Sequence, residues 1–265
     1  MATSMEDLKS VLFWRAVLAE CIGTLFLTFV GCGSCITLPG KDAPTVVQIS
    51  LAFGLSVATM VWCIANVSGG HINPCVTVGM LVTRKISVVR AIFYIVSQCL
   101  GAVIGAAILM AVTPEANRGP LGATLVTPGI EVHNAFGIEL LITFVLVFTV
   151  FASCDSKRGD LNGSAPLTIG LSVTMCHNFA VPFTGSSMNS ARSFGPAAVT
   201  GNWTYHWVYW AGPVLGGVIA GLLYDLLFAA DASGSKLKSF GSKDYDPNAK
   251  EERPEKPMAM QMEES

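Results

Sequence analysis

The sequence is poor in charge. Only 13% of its 265 residues are Asp, Glu, Lys or Arg, against about 25% in a soluble domain. Hydrophobic residues make up 52% and mean hydropathy is +0.56, so a water-soluble globular class gives way to a membrane protein. No basic patch exists and the formal net charge is −2, which excludes nucleic acid as a partner. There is no phosphate-cradling Gly-Lys loop, no glycine-rich dinucleotide turn after a strand and no metal-ligand cluster. An enzyme built on them is excluded, and neither cofactor nor metal is expected. The eight cysteines, at 21, 32, 35, 63, 75, 99, 154 and 176, lie within or beside apolar runs. Cys32 and Cys35 stand one turn apart, but nothing follows them at a zinc-type spacing. All eight read as small hydrophobes in the core or facing lipid.

What the chain does have is long apolar runs. Six reach spanning length, at 12–38, 46–66, 88–112, 135–154, 165–182 and 206–229, given about 20 residues per membrane helix. The first is too long for the core of a signal peptide and reads as a retained span. Two further stretches, 74–83 and 190–200, are too short to cross. As helices they reach about halfway, at 1.5 Å per residue. The fold class is therefore an all-α membrane protein with six transmembrane helices and two re-entrant half-helices. Arg84, Lys85 and Arg90 follow the second span, Lys157 and Arg158 follow the fourth, and Lys9, Arg15 and the tail lysines flank the ends. The other side carries Lys41 and Arg118, with Arg192 besides. By the positive-inside rule this is a multi-pass cell-membrane protein with both termini cytoplasmic and the 113–134 connection outside.

The two halves repeat at an offset of about 116. Gly54-Leu55-Ser56-Val57 matches Gly170-Leu171-Ser172-Val173; Leu100-Gly101 matches Leu215-Gly216; Glu20 and Thr24 match Glu139 and Thr143. Each half has three spans, an odd number, so the second enters from the other side and the copies are inverted. The half-helices then meet near the midplane. A carboxylate inside a span is costly unless paired. The symmetric Glu20 and Glu139 are therefore expected to brace the loops that lead into the half-helices.

Those loops read Ser68-Gly-Gly-His-Ile-Asn73-Pro74-Cys75 and Thr184-Gly-Ser-Ser-Met-Asn189-Ser190-Ala191-Arg192. Asparagine is a good N-cap and proline suits the next position, so Asn73 and Asn189 should each begin a half-helix and present an amide N–H. Each helix start carries about +0.5 charge. Two of them at the midplane make a positive collar that opposes cations and protons and lets neutral water pass.

With these strings in place the chain resembles the aquaporin family, nearest its water-selective animal branch, over about residues 12–229. The resemblance implies a passive water channel in a lipid bilayer, assembled as a homotetramer with one pore per subunit. It implies a channel domain over 12–229, with inverted repeats 12–112 and 135–229, between a cytoplasmic segment 1–11 and a disordered tail 230–265 whose polar composition buries little. It also implies a narrow selectivity ring at Phe53, His177, Ser186 and Arg192, in which Phe and His exclude glycerol and Arg repels cations. The family motif is Asn-Pro-Ala twice; here Cys75 and Ser190 depart from it. Cys75 adds bulk and a weak donor at the midplane, and Ser190 loses the fixed φ of proline. Trp62, Asn66 and Asn178 also depart. A Trp62 turned inward would partly block the conduit. Two other readings stay open on these departures: a membrane junction or adhesion protein with little conduction, and a broader small-solute channel. His71 reads as a loop brace or vestibule residue, Ser239 as a candidate phosphorylation site after Lys236 and Lys238, and Asn202-Trp203-Thr204 as a glycosylation sequon.

Overall fold

The computed structural model describes residues 4–242 and 245. A short α1 (Ser4–Lys9) precedes α2 (Val11–Gly33), α3 (Val46–Ser68), the short α4 (Pro74–Val82) and α5 (Val88–Val112). After a connection with one 3-10 turn (Glu115–Asn117) come α6 (Val132–Ser153), α7 (Ala165–Thr184), the short α8 (Ser190–Thr200) and α9 (Val208–Leu223), whose last turn runs on as a π-helix (Tyr224–Phe228). A small α10 (Gly234–Ser239) follows. No strand occurs among the described residues.

Five of these helices, α2, α3, α5, α6 and α9 with its π turn, are long and apolar enough to cross a membrane. The sixth, α7, has 20 residues. Ser172, His177 and Thr184 on its buried side, with exposed Asn178, lower its hydropathy. The first span ends at Gly33 rather than at 38, because the chain turns there: Cys35 N donates to Cys32 O and Ile36 N to Gly33 O. α4 and α8, of nine and eleven residues, are about 14 and 17 Å long at 1.5 Å per residue, half a bilayer core.

The inverted repeat is visible in the packing. α2 lies on α5 and α3, and α6 lies on α9 and α7 in the same way. The halves are then cross-docked: α4 of the first rests on α9 of the second, and α8 of the second rests on α5 of the first. α3 meets α7 through the repeated Gly-Leu-Ser-Val strings. A Cβ on Gly54 would stand 2.5 Å from the Gly170 carbonyl oxygen, and one on Gly170 would press on the Gly54 carbonyl. Small residues let the backbones close here, as in other membrane helix pairs. Gly54→Ala and Gly170→Ala should each lower the thermal unfolding midpoint in detergent by several degrees, as expected for overpacking by about 1–3 kcal/mol. Unchanged midpoints for both would contradict this contact.

Both terminal segments meet the 83–90 stretch, the loop before α5 and its first turn, and so share one face. Arg90 pairs with the buried Asp7 at 2.6 Å, and Arg84 Nη1 donates to Ser242 O at 2.6 Å. Lys236 of α10 lies between Asp225 at 3.3 Å and Asp231 at 2.9 Å, and Lys85 also reaches Asp225 at 2.9 Å. Burial would raise the Asp231 carboxyl, but Lys157 and Lys236 outweigh it and hold that group below its usual value. Within the stretch from 230 that composition alone reads as a disordered tail, α10 is held by these ion pairs. Ser239, the candidate phosphorylation site, is its last residue, and its hydroxyl donates to Lys236 O at 3.1 Å. Residues 243–244 and 246–265 lie outside the described residues.

Candidate functional site

Each half-helix begins at an asparagine. Asn73 Oδ1 accepts from Cys75 N at 2.8 Å; Asn189 Oδ1 accepts from Ala191 N at 3.0 Å and Arg192 N at 3.2 Å. Capping fixes each amide and turns its nitrogen toward the other half. Asn73 Nδ2 donates to Met188 O and Asn189 Nδ2 to Ile72 O, both at 2.8 Å. A primary amide has two N–H donors, so one remains on each side chain. Both asparagines line a cavity of about 340 Å³.

The residues before the asparagines, Ile72 and Met188, sit at φ +43° and +55°, a region uncommon for side chains other than glycine. Two buried carboxylates hold them there. Glu20 accepts from Ser68 Oγ at 2.6 Å, His71 N at 2.9 Å, Ile72 N at 2.5 Å and Gln98 Nε2 at 2.8 Å. Glu139 accepts from Thr184 Oγ1 at 2.6 Å, Ser187 N at 2.9 Å and Met188 N at 3.0 Å. Three partners repeat at matched positions; Gln98 has no counterpart. Every partner is a donor, and both glutamates are fully buried. Tyr94 and Tyr209 add a second matched support, donating to Ser68 O at 2.8 Å and Thr184 O at 3.0 Å. His71 borders the cavity with its Nδ1 3.1 Å from Thr77 Oγ1.

From the terminal face the cavity runs between apolar walls, with Val57, Val76, Leu146 and Ile169 among them, and ends at Phe53, His177 and Arg192. The Phe53 and His177 rings stack with centroids 4.6 Å apart, and the Arg192 guanidinium carbon lies 4.6 Å from the Phe53 centroid. Arg192 Nη1 donates to Gly122 O at 2.7 Å. Arg192 Nε, His177 Nε2 and Ser186 Oγ have no protein partner among the described residues. A second cavity of about 520 Å³ opens on the opposite face, with Cys35, Arg118, Gly122 and Arg192 in its wall. Arg192 borders both cavities. Phe53, His177 and Arg192 therefore come together. The Ser186 side chain is buried and borders neither cavity; the loop turns left-handed there (φ +52°), with Ser186 N bonded to Thr184 Oγ1 at 3.1 Å.

A family model described as Major intrinsic protein matches residues 7–224. The chain belongs to the major intrinsic protein family. It is 54% identical over 222 residues to Aquaporin-4 of Mus musculus and equally to that of Homo sapiens, covering 83% of this chain and 69% of each relative. It is 48% identical over 223 residues to the lens fiber major intrinsic protein of Lithobates pipiens, covering 84% of both. Among solved structures, the X-ray structure of the aquaglyceroporin from Plasmodium falciparum superposes with a TM-score of 0.73 at 23% identity, covering 81% of this chain and 96% of that one. That likeness gives the fold alone. The family match and the Aquaporin-4 relatives make the chain an integral, multi-pass membrane water channel rather than an enzyme.

Within this family frame the departures fall outside the conduit. Trp62 is 70% exposed on the outer surface and does not border the cavity. Asn66 and Asn178 are exposed as well. Cys75 and Ser190 are fully buried, border neither cavity and face each other. The adhesion reading with little conduction rested on these residues and loses its footing. Three contributors were missed from sequence. Gly122 supplies the carbonyl that holds Arg192, Gln98 supplies the extra donor to Glu20, and Thr124 Oγ1 donates to Ser193 Oγ at 2.8 Å. The one available signal was the Gly119-Pro120-Leu121-Gly122 run, which reads as a tight turn in an otherwise featureless connection.

Proposed function

We propose that this water channel passes water in both directions and selects it at two successive points. The first is the constriction at Phe53, His177 and Arg192, with the Ser186 loop behind it; the second is the collar of Asn73 and Asn189. The observation that carries the reading is the reciprocal capping. Each asparagine spends its oxygen on its own half-helix and one N–H on the opposite loop, so its remaining N–H is directed by both halves at once. A water in the conduit accepts from these amides and cannot continue a donor chain through them. The two helix starts add positive potential at the same depth, and Arg192 repeats it at the constriction.

The lysines and arginines of the 83–90 and 157–158 loops favour a cytoplasmic terminal face, with the Gly122 and Arg192 mouth outside. The unit we propose is a homotetramer in the lipid bilayer with a pore in each subunit; the exposed apolar faces carrying Trp62, Leu55 and Leu51 suit lipid and neighbouring copies. Proteoliposomes holding the protein should shrink under an osmotic step much faster than empty ones, with a low activation energy and no measurable glycerol uptake. Water flux equal to that of empty liposomes would overturn the reading; glycerol entry would move it toward a broader solute channel.

A further inference from the structure

We propose that Cys75 and Ser190 act as one unit, a hydrogen-bonded clasp between the two half-helices that keeps Asn73 and Asn189 in register. Cys75 Sγ and Ser190 Oγ lie 3.4 Å apart, and both residues are fully buried. The proposal rests on the conduit reading, and it assigns these two residues a positioning role beside the collar rather than contact with water.

The inverted repeat explains why these two positions meet. Position 74 corresponds to 190, and 75 corresponds to 191. The counterpart of the Cys75 and Ser190 pair is therefore Ala191 and Pro74. One side of the junction carries proline with alanine, and the other carries a hydroxyl with a thiol. Pro74 preorganises the start of α4 through its fixed φ. Ser190 cannot do that for α8, and the bond to Cys75 supplies the missing constraint across the junction.

Several contacts make the clasp consequential. No other partner for Ser190 Oγ is present among the described residues, and a buried hydroxyl without a partner is unfavourable. Cys75 cannot back away, because a Cβ on Gly217 of α9 would already stand 2.7 Å from the Cys75 carbonyl oxygen. Cys75 N is bonded by Asn73 Oδ1, and Ser190 follows Asn189 directly. A shift at either partner thus moves a collar amide. The two departures from the family motif are, in this view, a matched pair that must change together.

The test is a cycle of Cys75→Ala, Ser190→Ala and the double variant, with Cys75→Ser and the paired exchange Cys75→Ala/Ser190→Pro as rescues. Unit water flux, its activation energy and the thermal midpoint are read for each. Each single change should lower unit flux about two- to fivefold and raise the activation energy, and the double should be no worse than the singles, as for coupled neighbours. Cys75→Ser, which keeps a donor and acceptor, and the paired exchange should both return flux to near the original. Independent, additive losses would overturn the clasp, as would Cys75→Ser behaving like Cys75→Ala. The cycle in thermal midpoints decides the coupling even if the protein conducts no water, so failure of the clasp and failure of the water-channel reading are told apart.

Discussion

Glu139→Gln should lower water flux per reconstituted channel by at least about tenfold, or leave no folded protein at all. The carboxylate takes three donors, from Thr184 Oγ1, Ser187 N and Met188 N, on two oxygens that only accept. A glutamine in its place has one oxygen, and its NH₂ must then face an N–H. The cost is a lost charge-assisted bond plus a buried donor without an acceptor, about 2–4 kcal/mol together. At about 1.4 kcal/mol per factor of ten, that is enough to depopulate the ordered loop. Met188 is the weak point, because its left-handed backbone persists only while its N–H is held. Once it relaxes, its carbonyl leaves Asn73 Nδ2, and the collar loses one of its two cross-junction bonds. Glu20→Gln should do the same through Ile72 and Asn189, somewhat less severely, because Gln98 remains as a neighbour that can reorient. Stopped-flow light scattering on matched amounts of folded protein reads the effect. Wild-type flux and thermal midpoint in both variants would show that the carboxylates are bystanders.

Arg192→Val should leave water flux within about threefold of the original while opening the channel to what it now excludes. The guanidinium stands over the Phe53 ring, tied to Gly122 O, and it borders both cavities. A monovalent cation about 5 Å from that charge is opposed by about 3 kcal/mol at an effective dielectric of 20, roughly a hundredfold in rate. Removing the charge should raise cation or proton leak by one to two orders of magnitude by the same relation, and the lost side-chain volume should admit glycerol measurably. Ionic current in oocytes and dye-reported pH equilibration in liposomes measure the leak. Unchanged leak and unchanged glycerol exclusion would place the main barrier elsewhere, with the asparagine collar the first alternative. His177→Ala combined with the arginine change would then separate width from charge, because the imidazole stacks on Phe53 and narrows the constriction.

Much of this site was legible before any coordinates, for local reasons. An N-cap bond joins a side chain to a backbone two or three residues away, so Asn73 and Asn189 could be read from the motif alone. The carboxylates were legible because two matched charges in two apolar runs demand partners. Cys75 and Ser190 show the opposite case. Each was visible as a departure, and each was expected to act on the conduit by itself. Their contact spans 115 residues, and nothing local points from one to the other. Trp62 illustrates a different limit. One residue advances a helix by about 100°, so hydropathy identifies the span without saying which side of it faces the conduit. Only the packing of α3 on α2 and α7 decided that Trp62 points outward. In the tail, composition reads only the low apolar content, whereas the placement of Lys236 between Asp225 and Asp231 depends on the end of α9.

Hydropathy, odd-numbered repeats and capping chemistry by themselves determined six membrane helices, two half-helices, their inverted relation and the two asparagines. These depend on neighbours in sequence and on the cost of burying polar groups in lipid. Tertiary structure alone decided which departures touch the conduit, that the 119–123 loop reaches in to hold Arg192, and that Cys75 and Ser190 meet. These depend on the rotation of each helix about its axis and on cross-docking of the halves, which side-chain volumes settle only when all the helices are packed together.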